Sequence, residues 1–127
     1  MKQILLAGFS DFAGSMLASS VSCAMKVRGI AVKTLPKREY LRPLEEVFRG
    51  SPPGKGFLPY GGAELPGRVL VFCGTPEKEL DALLPALQEL GVRREDLKAV
   101  LTPINRRWNI LRLAEELQKE MRAVKGR

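Results

Sequence analysis

Residues 68–77 read Arg-Val-Leu-Val-Phe-Cys-Gly-Thr-Pro-Glu, and this stretch decides the fold. Val69 to Cys73 is a solid apolar run without polar alternation, the pattern of a strand covered on both faces. Gly74-Thr75-Pro76-Glu77 then opens a helix, with Thr75 as cap, Pro76 in first position and Glu77 near the positive helix end. Leu80, Leu83, Leu84, Leu87 and Leu90 follow at helical spacing. Pro85 predicts a kink and Gly91 a stop. A second apolar run, Leu97–Leu101, completes a strand–helix–strand unit. Asn105 or Asn109 caps a last helix carrying Ile110, Leu111, Leu113, Ala114, Leu117 and Met121, and Arg122–Arg127 reads as a basic, frayed tail.

The first part of the chain repeats this plan. Gln3–Gly8 is an apolar strand ending in Gly, and Ser10-Asp11 caps a helix running to about Arg28. Phe12, Met16, Ser20, Cys23 and Val27 share one face, and Ala13, Leu17, Val21 and Ala24 the next. So wide an apolar surface predicts a mostly buried helix. Ile30–Thr34 is the second strand. Pro36 can begin a helix through Tyr40, Leu41, Leu44, Val47 and Phe48, which Pro43 splits and Gly50 ends. The reading is α/β: β-α-β-α twice, about four mainly parallel strands with flanking helices, the alternative being a ferredoxin-like α+β sheet.

Residues 50–67 hold six Gly and four Pro and read as a linker loop, with Phe57 and Tyr60 pinning it to the body. The chain therefore divides as a single domain, 1–127, with halves 1–49 and 68–127 about this linker. Ala31, Val32, Thr34, Arg38 and Tyr40 meet Ala99, Val100, Thr102, Arg106 and Trp108 at an offset of 68, which suggests an internal duplication. A duplication would set two βαβ units about a pseudo-two-fold.

At 127 residues, with 45% hydrophobic and 28% charged residues, the chain is long and apolar enough to bury a core. It has no histidine, which excludes Ser-His-Asp and Cys-His catalysis and His-ligated zinc. Cys23 and Cys73 have no CxxC neighbour, so no metal or redox pair is expected, and low cysteine usage fits a reducing, cytoplasmic setting. The apolar start is interrupted by Asp11, unlike a signal peptide, and the charge-free run Phe12–Met25 is too short to span a bilayer. The net charge of +7 is spread over both halves. It allows weak, sequence-independent nucleic-acid binding, but aromatic residues are too few for stacking-based recognition.

The second half resembles a bacterial family known only as domain of unknown function 3783. The resemblance rests on Leu101-Thr102-Pro103-Ile104-Asn105-Arg106-Arg107-Trp108, preceded by Val69–Gly74 and Glu79-Leu80-Asp81, and spans about residues 68–121. It implies no activity.

In parallel sheets ligands sit beyond the strand carboxyl ends. Four segments are expected to meet there, supplying Ser10, Thr34, Cys73, Thr75, Thr102 and Asn105 to a small anion or other ligand. Arg106, Arg107 and Trp108 are the candidate protein-partner anchor, with Trp108 expected to fold inward under a rigid Thr102–Asn105 turn. Gly54-Lys55-Gly56 lacks phosphate-loop spacing, and Gly8–Gly14 lacks that of a dinucleotide loop. No catalytic residue, metal or cofactor is expected. The reading is a non-enzymatic ligand- or protein-binding, regulatory module. The alternatives are a weak nucleic-acid binder and a small enzyme at the strand ends.

Overall fold

Gln3–Ala7 (β1) and Val69–Cys73 (β3), the most apolar runs of the chain, lie side by side at the centre of one sheet. The computed structural model describes residues 1–125. Between them come α1 (Phe12–Val27), β2 (Ala31–Thr34), a 3-10 turn (Lys37–Glu39) and α2 (Leu44–Arg49). After β3 follow α3 (Glu77–Leu90), β4 (Leu97–Val100), a second 3-10 turn (Asn105–Arg107) and α4 (Ile110–Lys125). The strand order is β2-β1-β3-β4. β1 runs parallel to β2, β3 runs parallel to β4, and β1 meets β3 antiparallel. The fold is thus α/β with a mostly parallel sheet, and the ferredoxin-like alternative is not adopted, because two of the three strand pairings are parallel.

Both sheet faces are covered, which is why β1 and β3 read as unbroken apolar runs. Leu5, Ala7, Val69 and Val71 pack under α2 and α4 with Leu44, Phe48, Ile110 and Leu113. Ile4, Leu6, Leu70 and Phe72 pack under α1 and α3 with Leu17, Val21, Met25, Leu83 and Leu87. Residues 51–68 form neither helix nor strand.

Three local expectations change. α1 buries only the line Gly14, Leu17, Val21 and Met25, and the face bearing Phe12, Met16, Cys23 and Val27 is exposed. A helix in the outer layer has one sheet beneath it and nothing above it, so a second apolar stripe has no place to go. Thr75 does not cap α3; Pro76 holds the cap position with no side-chain bond. The basic tail is helical as far as Lys125, and its last two positions, Gly126 and Arg127, lie outside the described residues. Pro43 does split the helix of the first half, standing at the cap position of α2, and Gly50 closes α2 in the left-handed region at φ 78°.

The halves share one order of elements, but the offset of 68 holds only around the 3-10 turns. Gln3 pairs with Ala31 and Val69 with Leu97, so Ala31 corresponds to Leu97 rather than to Ala99. The connection from β4 to its 3-10 turn is two residues longer than the one from β2, which displaces the alignment.

Candidate ligand-binding cleft

The antiparallel pairing sets Ala7 opposite Val69, so the exit of β1 adjoins the entry of β3. Gly8 turns the chain there at φ 81°, and a Cβ on it would stand 2.8 Å from the Gly67 carbonyl oxygen. Only glycine allows the two backbones to pass so closely. Phe9 is buried beyond it, and Asp11 caps α1 by accepting the Gly14 N–H at 2.7 Å.

The end of the Gly/Pro-rich loop closes over this turn through one carboxylate. Glu64 Oε1 accepts the Tyr40 hydroxyl at 2.6 Å and the Leu65 N–H at 2.8 Å, and Oε2 accepts the Ser10 hydroxyl at 2.5 Å. The buried Tyr40 hydroxyl in turn accepts the Gly8 N–H at 3.0 Å. Tyr60 stacks on Tyr40 with centroids 5.8 Å apart and donates its N–H to the Arg38 carbonyl. Tyr60 thus pins the loop as the sequence suggests.

The protonation states follow from these contacts. Burial pushes the Glu64 carboxyl up, but donation from Ser10, Tyr40 and the Leu65 N–H, with Lys37 nearby, more than reverses this and holds it below its usual value. Burial, and then the Glu64 partner, push the Tyr40 phenol well above its usual value. At neutral pH Glu64 is therefore an anion and Tyr40 its permanent donor.

Ser10, Asp11 and Glu64 form one side of a cleft of about 460 Å³, with Arg68, Arg93, Glu95 and Asp96 on the other. Arg68 lies 3.7 Å from Asp11, and its guanidinium stands 5.5 Å from the centre of the Phe9 ring. Arg93 donates its N–H to Asp96 at 2.8 Å. Lys98 ties down the same turn by donating to the carbonyls of Arg93 and Asp96 at 2.9 and 2.8 Å, and burial lowers its pKa. The cleft lining carries four carboxylates and two guanidiniums, with the Lys37 and Lys98 ammonium groups beside it. Among the described residues no group of three or more His, Cys, Asp or Glu is placed to hold a metal ion.

The expected strand-end residues do not converge. Ser10 and Thr34 lie at one end of the sheet, and Cys73, Thr75, Thr102 and Asn105 at the opposite end, because β1 and β3 run in opposite directions. Of the six, only Ser10 lines the cleft. Thr34 is exposed, Cys73 is half-buried against the α2/α4 core, and the Thr75 hydroxyl is buried without a hydrogen-bond partner.

Thr102 and Asn105 lock a turn instead. The Thr102 N–H donates to Asn105 Oδ1 at 2.7 Å, the Asn105 N–H to the Thr102 hydroxyl at 3.0 Å, and Asn105 Nδ2 to the Val100 carbonyl at 3.0 Å. Trp108 folds inward onto the α2/α4 core, with the Arg112 guanidinium 4.5 Å from its ring centre, and its carbonyl accepts the Leu44 N–H at 2.9 Å. Arg106 reaches Glu45 at 3.6 Å, and Arg107 is exposed.

The residue that the strand-end reasoning missed is Glu64. One signal pointed to it: it is the sole acidic residue between 50 and 67. Among the described residues no helix is long and apolar enough to cross a membrane. No curated protein and no solved structure matches the chain. Residues 68–124, from the arginine before β3 into α4, match the model of a family described as Domain of unknown function (DUF3783).

Proposed function

We propose that the protein is a non-enzymatic binding module whose ligand seat is the cleft beside Ser10, Asp11 and Glu64. The observation that carries this is the Glu64 carboxylate, immobilised by three donors and kept ionised at the cleft wall. A charge held rigid before binding loses little entropy when a ligand arrives. The four carboxylates of the lining, Glu64 foremost, suit a small organic cation with several N–H donors, such as a guanidinium or polyamine. The common order of elements supports reading the halves as repeats, but the seat has no repeat counterpart, since its Glu64 comes from the loop between the halves. We place the module in a reducing bacterial cytoplasm, in keeping with two unpaired cysteines.

Thermal denaturation and calorimetry with agmatine as probe test the seat. Saturable binding that raises the melting temperature, and that is lost in Glu64→Gln and weakened in Asp11→Asn, is the expected result. Both substitutions keep an acceptor oxygen, so the loop and the helix cap survive. Stabilisation by citrate with none by agmatine would overturn the cation reading in favour of an anion site.

A further inference from the structure

We propose that the outward face of α1 is a homodimer surface, on which α1 of a second copy packs antiparallel. From Phe12 to Met25 the helix carries no charge. Phe12 is 83% exposed, Met16 60% and Val27 89%, and Cys23 is exposed on the same line. The neighbouring α3 carries exposed Glu77, Lys78, Glu79, Asp81 and Glu89 in the same layer. Large apolar side chains this exposed, on a stretch without charge and broken only by small serines, mark an interaction surface rather than a solvated face.

Charge selects a second copy as the occupant. Each copy carries +7, so two copies repel where their charged faces meet, and the stretch Phe12–Met25 adds nothing to that repulsion. The ends of the stripe are complementary to each other: Asp11 precedes it, and Lys26 and Arg28 close it. A two-fold axis between Ser19 and Ser20 sets Asp11 beside Arg28 of the second copy, Phe12 beside Val27, and Met16 beside Cys23. Large residues then meet small ones, the helix dipoles oppose, and the central serines let the backbones approach. A groove lined by Ala13, Met16, Ser20 and Leu90, and also by Arg68 and Arg93, borders the stripe and gives the second helix room for its side chains. The contact is one helix of roughly 24 Å per copy. That is the low end of stable interfaces, so dissociation in roughly the micromolar range is expected.

Sedimentation of the full chain over a concentration series tests this. Wild type is expected to pass from 14.1 kDa to twice that mass. Met16→Glu, at an exposed position, should weaken the dimer on the order of a hundred-fold while circular dichroism stays unchanged. Orientation is read by oxidation: Met16→Cys with native Cys23 should form a covalent dimer, and Met16→Cys with Cys23→Ser should not. A wild type that stays monomeric at high concentration overturns the proposal, whatever else covers the face. So does a dimer that survives Met16→Glu, or cross-linking only in the double variant.

Discussion

The Tyr40 hydroxyl donates to Glu64 at 2.6 Å across 24 residues of sequence, while accepting the Gly8 N–H at 3.0 Å. One phenolic oxygen thus joins the exit of β1, the turn before α2 and the end of the long loop. Tyr40→Phe keeps the ring and its stacking but leaves the Gly8 donor without its partner. The expected cost is about 1–3 kcal/mol in urea unfolding. A variant as stable as wild type would show that the three segments are held by packing alone.

The same pair sets a pH response at both ends of the scale. Glu64 has a folded pKa below its unfolded value, so its contribution is present above the unfolded value near 4.5 and is lost as pH falls through the folded one. Tyr40 has a folded pKa above its unfolded value. Its contribution is complete below the unfolded value near 10.0 and is lost as pH rises toward the folded one. Unfolding free energy followed across pH should fall in both windows. Glu64→Gln should flatten the acid limb and Tyr40→Phe the alkaline one.

At the opposite end of the sheet, Asn105→Ala leaves the Thr102 N–H and the Val100 carbonyl without partners at a buried position. The expected loss is about 2–3 kcal/mol. Asn105→Asp keeps the acceptor to Thr102 but sets a carboxylate oxygen against the Val100 carbonyl at a buried position, so at neutral pH it should cost at least as much. Near-wild-type stability of Asn105→Ala would assign the turn to Pro103 instead.

Trp108 is half-buried, and Arg112 covers part of its ring. Trp108→Ala should therefore cost about 2–3 kcal/mol, below the range for a fully buried aromatic residue. Emission of this sole tryptophan should be only partly open to a neutral quencher such as acrylamide. Arg112→Ala should increase that access and shift emission to the red.

The two thiols should differ in rate. Cys23 is exposed on α1, and Cys73 is half-buried against the core. Below the concentration at which the chain would pair, a thiol reagent at neutral pH should modify Cys23 quickly and Cys73 slowly, as read by peptide mass after short exposure. Faster reaction at Cys73 would mark it as an activated thiolate.

What the sequence makes legible is whatever depends on near neighbours. All four strands, the three longer helices, the split at Pro43 and the stop at Gly50 come from apolar runs and from Pro and Gly chemistry. The inward Trp108 and the rigid Thr102–Asn105 turn follow from residue types only three apart. The direction of β1 against β3 is not legible, since an apolar run reads the same either way up. That single unknown divides the candidate site residues between two ends of the sheet. Glu64 was hidden for a related reason, because its partners Ser10 and Tyr40 lie 54 and 24 residues away. The outward face of α1 misleads because an apolar stripe reports what a surface avoids, not which neighbour covers it.

The central pairing also orders the assembly of the chain. Gln3 finds Ala31 and Val69 finds Leu97 at the same separation of 28 residues, whereas Gln3 and Cys73 stand 70 apart. Each half can therefore close on itself quickly, with a small loss of loop entropy. Zipping β1 onto β3 must wait for a far longer loop. The late, rate-setting event is then the meeting of two half-made sheets along their bare inner edges. Until it occurs, those apolar edge strands are open to pairing with other chains, and the interval before they meet is when this protein is most prone to aggregate.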